Sequence, residues 1–239
     1  MPELPYYYSE PFYLIAFIIM IPCLLIAGYA QAKVAINFGK YSKVQNKNRL
    51  TGVEAARRIL NNNNLSHIAI QHTASEQPDH YDSKSKVIRL SDDVYESTSL
   101  TAAVIAAHEC GHAIQDVTSY QPLRMRTVIS PLATFASQAA WLFILAGLIL
   151  VMFDFAVGGI YLLGIATILQ LITLPVELNA SSRALNLLQT NEILADTEMA
   201  AAKKVLSAAA LTYVAALIKP IISLFGVLRM VLTYRRNRW

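Results

Sequence analysis

Residues 12–30 read FYLIAFIIMIPCLLIAGYA without a charge, and further apolar stretches cover 131–152, 157–175 and 205–232. The first three are long enough to cross a hydrocarbon core about 30 Å thick as helices. The pattern predicts a first transmembrane helix over 12–32. It also predicts a transmembrane hairpin over 131–176, whose loop around Asp154 is too short to hold a domain. Residues 177–204 read as a further helix. The stretch 205–232 contains Lys219-Pro220, which predicts a kinked segment that spans or re-enters. Ala30-Gln31-Ala32 resembles a signal-peptidase site, but the preceding residues offer Glu3 and Glu10 and no Lys or Arg, which favours an uncleaved anchor.

The polar positions concentrate between the first stretch and the hairpin, over 33–127. Residues 33–126 hold 12 Lys and Arg against 9 Asp and Glu, the composition of a water-facing region. Thr51-Gly52-Val53-Glu54 reads as a capping box opening a helix through Leu60, and the asparagines 61–64 end it. Alternation over His67–Gln71 and Lys86–Leu90 predicts two short strands, joined through a polar loop around Asp79–Ser85. An Ala-rich apolar segment over 99–117 predicts a helix. The fold class is therefore a mainly α membrane protein, with three to four transmembrane helices and a small α+β unit.

Composition agrees with the pattern: 55% hydrophobic, 15% charged and a mean hydropathy of +0.41 are too apolar for a soluble globule. The net charge of +4 and pI near 9.0 raise nucleic acid as a partner, but no basic run interleaved with aromatics exists. The basic excess reads as membrane-flanking charge. Lys33, Lys40, Lys43, Lys47 and Arg49 follow the first span, whose other side has only acids, so the polar region is expected in the cytoplasm. Arg235, Arg236 and Arg238 would also prefer that side; either the last segment does not fully cross, or the charge rule is broken there. Two cysteines, Cys23 and Cys110, make a disulfide framework unlike this chain.

The candidate chemistry lies in His108-Glu109-Cys110-Gly111-His112, an H-E-x-x-H sequence on the 99–117 helix. Residues four apart share a helix face, so both imidazoles can bind one Zn²⁺ while Glu109 points toward the metal's open position. Such a glutamate takes a proton from zinc-activated water and later delivers it to the leaving amine. Cys110 lies about 200° around the helix from His108 and reads as a packing residue. A catalytic zinc wants a third protein ligand. His67, His72 and His80 lie upstream, and no H-x-x-G-x-x-H extension follows His112, which argues against a metzincin. Peptide deformylases also carry an H-E-C-x-H helix but need another cysteine ligand, and Cys23 sits in a spanning segment. The acidic residues downstream are Asp116, Asp154, Glu177, Glu192, Asp196 and Glu198. Glu177 stands out because it directly follows an apolar span, where a carboxylate is costly unless paired or metal-bound; a solvated interfacial glutamate is the plain alternative. Asn179 and Ser181 are placed to orient ligands.

Several blocks together resemble a known family. They are 52–60 (GVEAARRIL), 79–82 (DHYD), 87–91 (VIRLS), the H-E-x-x-H helix, 174–177 (LPVE) with Asn179-Ala180-Ser181, and 208–216 (AAALTYVAA). In order and spacing they resemble the YugP-type membrane zinc metallopeptidases, which are similar to the HtpX and CAAX-prenyl proteases among the gluzincins. The resemblance implies a zincin-like unit in which His108, His112 and Glu177 bind one catalytic Zn²⁺ and Glu109 is the general base. It implies a multi-pass protein of a bacterial plasma membrane, with the active site facing the cytoplasm at the bilayer surface and acting on peptide or protein substrates, membrane-associated ones included. The HtpX-like pattern has an aspartate four positions after the glutamate ligand; here that position is Ser181. In related enzymes an edge strand that receives extended substrate falls at Asp79–Asp82, so His80 or Tyr81 would touch the substrate carbonyl, although turn residues without a catalytic role fit the same segment. Two other classes stay open: a zinc-binding membrane scaffold or regulator without proteolysis, and a transporter or channel subunit, which would leave region 33–126 without a purpose.

Overall fold

A computed structural model of the chain describes residues 10–74, 77–150 and 152–236. Glu3 and Arg238, which entered the charge reasoning, lie outside them. Seven helices and three strands are present among the described residues: α1 (Glu10–Tyr41), α2 (Gly52–Asn62), β1 (Ala69–Thr73), β2 (His80–Asp82), β3 (Val87–Ser91), α3 (Asp92–Tyr95), α4 (Leu100–Val117), α5 (Gln121–Ile149), α6 (Phe153–Thr190) and α7 (Asp196–Arg236). The chain divides into two compact units. One comprises Gln31–Met125 with Ile172–Thr212; the other takes in the chain up to Ala30, Arg126–Leu171, and Tyr213 onward.

In the first of these, local signals set the helix ends. Thr51 accepts a hydrogen bond from the Glu54 amide and gives its own amide to Glu54 Oε2 (2.8 Å), which is the capping box the sequence predicts. Ser99 caps α4 through the Ala102 amide. The buried faces of α2 and α4 meet around Ala56, Ile59, Leu60, Val104 and Ala107, with Leu188 from α6 in the same core. The sheet has the order β1-β3-β2, with β1 parallel and β2 antiparallel to β3. Tyr81 faces Ile88 in the β2–β3 register. Strands β1 and β3 fall within two residues of the predicted segments. β2 occupies what the alternation pattern reads as loop: it is three residues long and polar, too short to show a period. As the last strand of the order, it has one edge that pairs with no strand among the described residues.

In the other unit, α5 and α6 form the antiparallel hairpin. Small residues let their backbones approach: a Cβ on Gly159 would meet Ala140 O at 2.7 Å, and Gly147 lies against Ala156. Val128, Leu142, Ile149 and Tyr161 are each more than two-thirds exposed, which suits contact with lipid and not with water. Among the described residues α5, α6 and α7 each contain a stretch long and apolar enough to cross a membrane. One expectation changes. The hairpin helices overrun 131–176, so Glu177 lies inside α6, not at the start of a new helix, and the chain turns at Asn191–Ala195. α7 carries the 205–232 stretch as one helix that continues through Lys219-Pro220, since a proline removes one hydrogen bond without ending a long helix whose other bonds persist.

Candidate active site

Two helices bring the candidate residues together. α4 carries His108, Glu109 and His112, and α6 carries Glu177, Asn179 and Ser181. The two run antiparallel, since His108 meets Ser181 while Gln115 meets Val176. Gly111 sets their spacing: an added Cβ there would stand 2.8 Å from the Ala180 carbonyl oxygen, so only glycine lets the backbones approach this closely. That approach places Glu177 over the histidines. Its Oε2 lies 3.2 Å from His108 Nε2 and 3.6 Å from His112 Nε2. The donor atoms of all three residues lie within 4.8 Å of one another.

These distances fit one metal ion. Tetrahedral ligands about 2.0–2.2 Å from zinc stand about 3.3–3.6 Å apart, close to the two Glu177 separations. The donor set, two imidazole nitrogens and one carboxylate oxygen, also leaves a position for water. Glu177 is only 2% exposed, a costly place for a carboxylate without cationic partners.

Glu109 is buried on the same helix, and its Oε2 accepts the Tyr81 amide of β2 at 2.8 Å. Burial pushes its carboxyl upward, against the pull of His112 and His108. For His112, burial acts to lower the imidazole, but the neighbouring Glu177 and Glu109 carboxylates outweigh it, and the net shift is upward. The Tyr81 phenol is pinned at the C-terminal end of α4, donating to Asp116 Oδ2 at 2.7 Å, where Lys86 also binds. Burial and that acceptor raise the phenol well above its ordinary value, so it stays protonated.

Of the remaining sequence candidates, Ser181 Oγ lies 3.4 Å from His108 Nδ1, and Asn179 Oδ1 accepts from Gln115 and Arg183. His80 is turned elsewhere: its ring nitrogens lie against Pro78 O (2.8 Å) and Arg89 Nη1 (3.4 Å), and among the described residues none of its hydrogen bonds reaches His108, His112 or Glu177. Cys110 is fully buried with its thiol toward Ala56 O, and burial raises it, as a packing residue requires. Sequence reasoning missed Gln115, which contacts both His112 and α6; a signal was present in its spacing, three positions after the second histidine. An open cavity of about 830 Å³ adjoins α4 at Thr101, Ala102 and Ile105, one to two turns before His108, and Pro78 and Asp79 ahead of β2 line it too.

Comparison with known proteins supplies the context for this geometry. Residues 16–233 match the family model described as "Putative neutral zinc metallopeptidase". The chain is 44% identical over 218 residues to the "Putative membrane protease YugP" of Bacillus subtilis (strain 168), covering 91% of this chain and 96% of that protein. No solved structure matches it.

Proposed function

The chain belongs to the family of neutral zinc metallopeptidases, and on that premise we propose that it is a membrane-embedded metalloendopeptidase with Glu109 as general base and His108, His112 and Glu177 holding one Zn²⁺. The observation that carries this reading is the meeting of three donor atoms, from helices distant in sequence, at separations that suit one ion. Zinc, when bound there, supplies a Lewis acid that polarises the scissile carbonyl and lowers the pKa of water.

The chain's own residues handle the proton and the substrate. Glu109, whose carboxyl burial pushes upward, takes the proton from the attacking water and returns it to the leaving amine. The Tyr81 amide holds one of its oxygens in place and leaves the other for the proton. In an antiparallel pair the N–H and C=O of one residue point the same way, so the Tyr81 carbonyl shares the free edge of β2 with the amide given to Glu109. An extended substrate adds there as a strand, accepted by that carbonyl. Ser181 orients His108, and the basic residues after the first apolar stretch favour a cytoplasmic active site in a multi-pass protein of the cell membrane.

Cleavage of a peptide library by detergent-purified protein, measured beside zinc content, tests the assignment. Glu109→Gln keeps zinc and loses turnover; Glu177→Ala loses zinc. Wild-type cleavage by Glu109→Gln would remove the proposed base, and unchanged zinc affinity in Glu177→Ala would remove the third ligand.

A further inference from the structure

We infer that Gln115 is a positioning residue that locks the tautomer of His112, leaving Nε2 of that ring unprotonated and available to a metal. The inference rests on the proposed zinc site and assigns a role to a residue that reading does not use. Gln115 lies three positions after His112 on α4 and is fully buried. An amide's oxygen and nitrogen are told apart by their partners, and here the partners leave one assignment.

One end of the Gln115 amide stands 2.8 Å from the Val176 carbonyl oxygen and 3.0 Å from Asn179 Oδ1. A backbone carbonyl only accepts, so that end is the NH₂ group. Asn179 Oδ1 is independently held as an acceptor by Arg183 Nε at 2.8 Å, and a guanidinium only donates. The other end, Oε1, therefore faces His112 Nδ1 at 2.9 Å. An amide oxygen only accepts, so Nδ1 carries the hydrogen, and a neutral imidazole with a proton on Nδ1 has a bare Nε2. Nε2 is the atom that faces Glu177.

His108 has no equivalent lock. Its Nδ1 lies 3.4 Å from Ser181 Oγ, and a hydroxyl both donates and accepts, so that contact fixes no tautomer, while the Glu177 carboxylate 3.2 Å from Nε2 only accepts and favours a proton there in the metal-free protein. Without Gln115 nothing holds the proton of His112 on Nδ1 against the pull of the Glu177 carboxylate on the Nε2 side, and binding a metal must first move a proton off Nε2. Partners that fix ligand histidines are typically worth about 10–100-fold in metal affinity.

The test uses the full chain in detergent micelles with ¹⁵N-labelled histidine, metal-free, at a pH where the rings are neutral. Long-range ¹H–¹⁵N correlations then report the tautomer of each of the five histidines. His112, identified by loss of its signals in His112→Ala, is expected as the Nδ1–H form in the wild type. In Gln115→Met, which keeps the length and removes both hydrogen-bonding ends, it mixes with or shifts to Nε2–H. Zinc affinity by chelator competition falls about 10–100-fold. Gln115→Glu keeps an acceptor for His112 while replacing the amide's donations to α6 by acceptor–acceptor repulsion, so it retains the Nδ1–H form that Gln115→Met loses.

A purely structural tie between α4 and α6 predicts equal damage from both variants, and that result would overturn the inference. So would an Nε2–H His112 in the wild type, a reading that stands even if Gln115→Met does not fold. A wild type that binds no zinc yet shows the Nδ1–H form sinks the metal reading and leaves the tautomer lock standing.

Discussion

Replacing Gly111 by alanine separates the geometry of the site from the stability of the fold. The new Cβ would stand 2.8 Å from the Ala180 carbonyl oxygen, while ordinary contact begins at 3.4 Å, so α4 and α6 must part by roughly 3.4 − 2.8 = 0.6 Å. Overpacking of this kind costs about 1–3 kcal/mol. Alanine recovers about 1 kcal/mol of helix propensity over glycine. The net loss of stability is therefore small, about 0–2 kcal/mol. Zinc is far less tolerant, because ligand distances must hold to about 0.2 Å, and Glu177 rides on the helix that is displaced. We expect zinc affinity to fall at least tenfold, about 1.4 kcal/mol, with little change in the unfolding of the metal-free protein. Chelator competition measures the first and thermal unfolding of the apo form the second. A variant with higher apo stability and affinity within threefold of wild type would show that the Gly111–Ala180 approach does not position Glu177.

Two further outcomes rest on other contacts of the same unit. The Asp82 carboxyl is held low by hydrogen bonds from Ser85 and Arg89, so its stabilisation is present above the ordinary aspartate range and is lost as pH falls from about 4; acid unfolding of Asp82→Asn, followed by circular dichroism, should begin from lower stability and be shallower below that pH, and an unchanged profile counts against the interaction. With Cys23 replaced by serine, the buried Cys110 thiol should resist alkylation in the native protein and react only on unfolding, as timed labelling and mass spectrometry would read; rapid native labelling would contradict its packing against Ala56.

Much of this protein is legible in one dimension because the signals are local. A capping box is written in Thr51 and Glu54, and a cap with a 3.6-residue apolar period in Ser99 and the residues after it. The two histidines and Glu109 lie within five residues of one helix, so periodicity alone puts both imidazoles on one face. The long apolar stretches announce the membrane helices, though not their ends, because a helix continues past the last apolar residue wherever its backbone bonds are satisfied. β2 escaped the pattern since three polar residues pair through their backbones, and side-chain alternation carries no trace of that.

What the sequence could not decide is which distant groups meet. Six acidic residues follow the motif, and Glu177 is singled out by its place directly after an apolar span and by the family resemblance. The tertiary structure makes the encounter through the glycine-permitted approach of α4 and α6. Gln115 is the sharper case. As a letter it is one more polar residue near a helix end; its amide acquires a direction only when the Val176 carbonyl and Asn179 of α6 arrive to orient it. Helix identity and the histidine spacing follow from bonds a few residues long, whereas the third donor and the tautomer depend on contacts whose partners lie more than sixty residues apart.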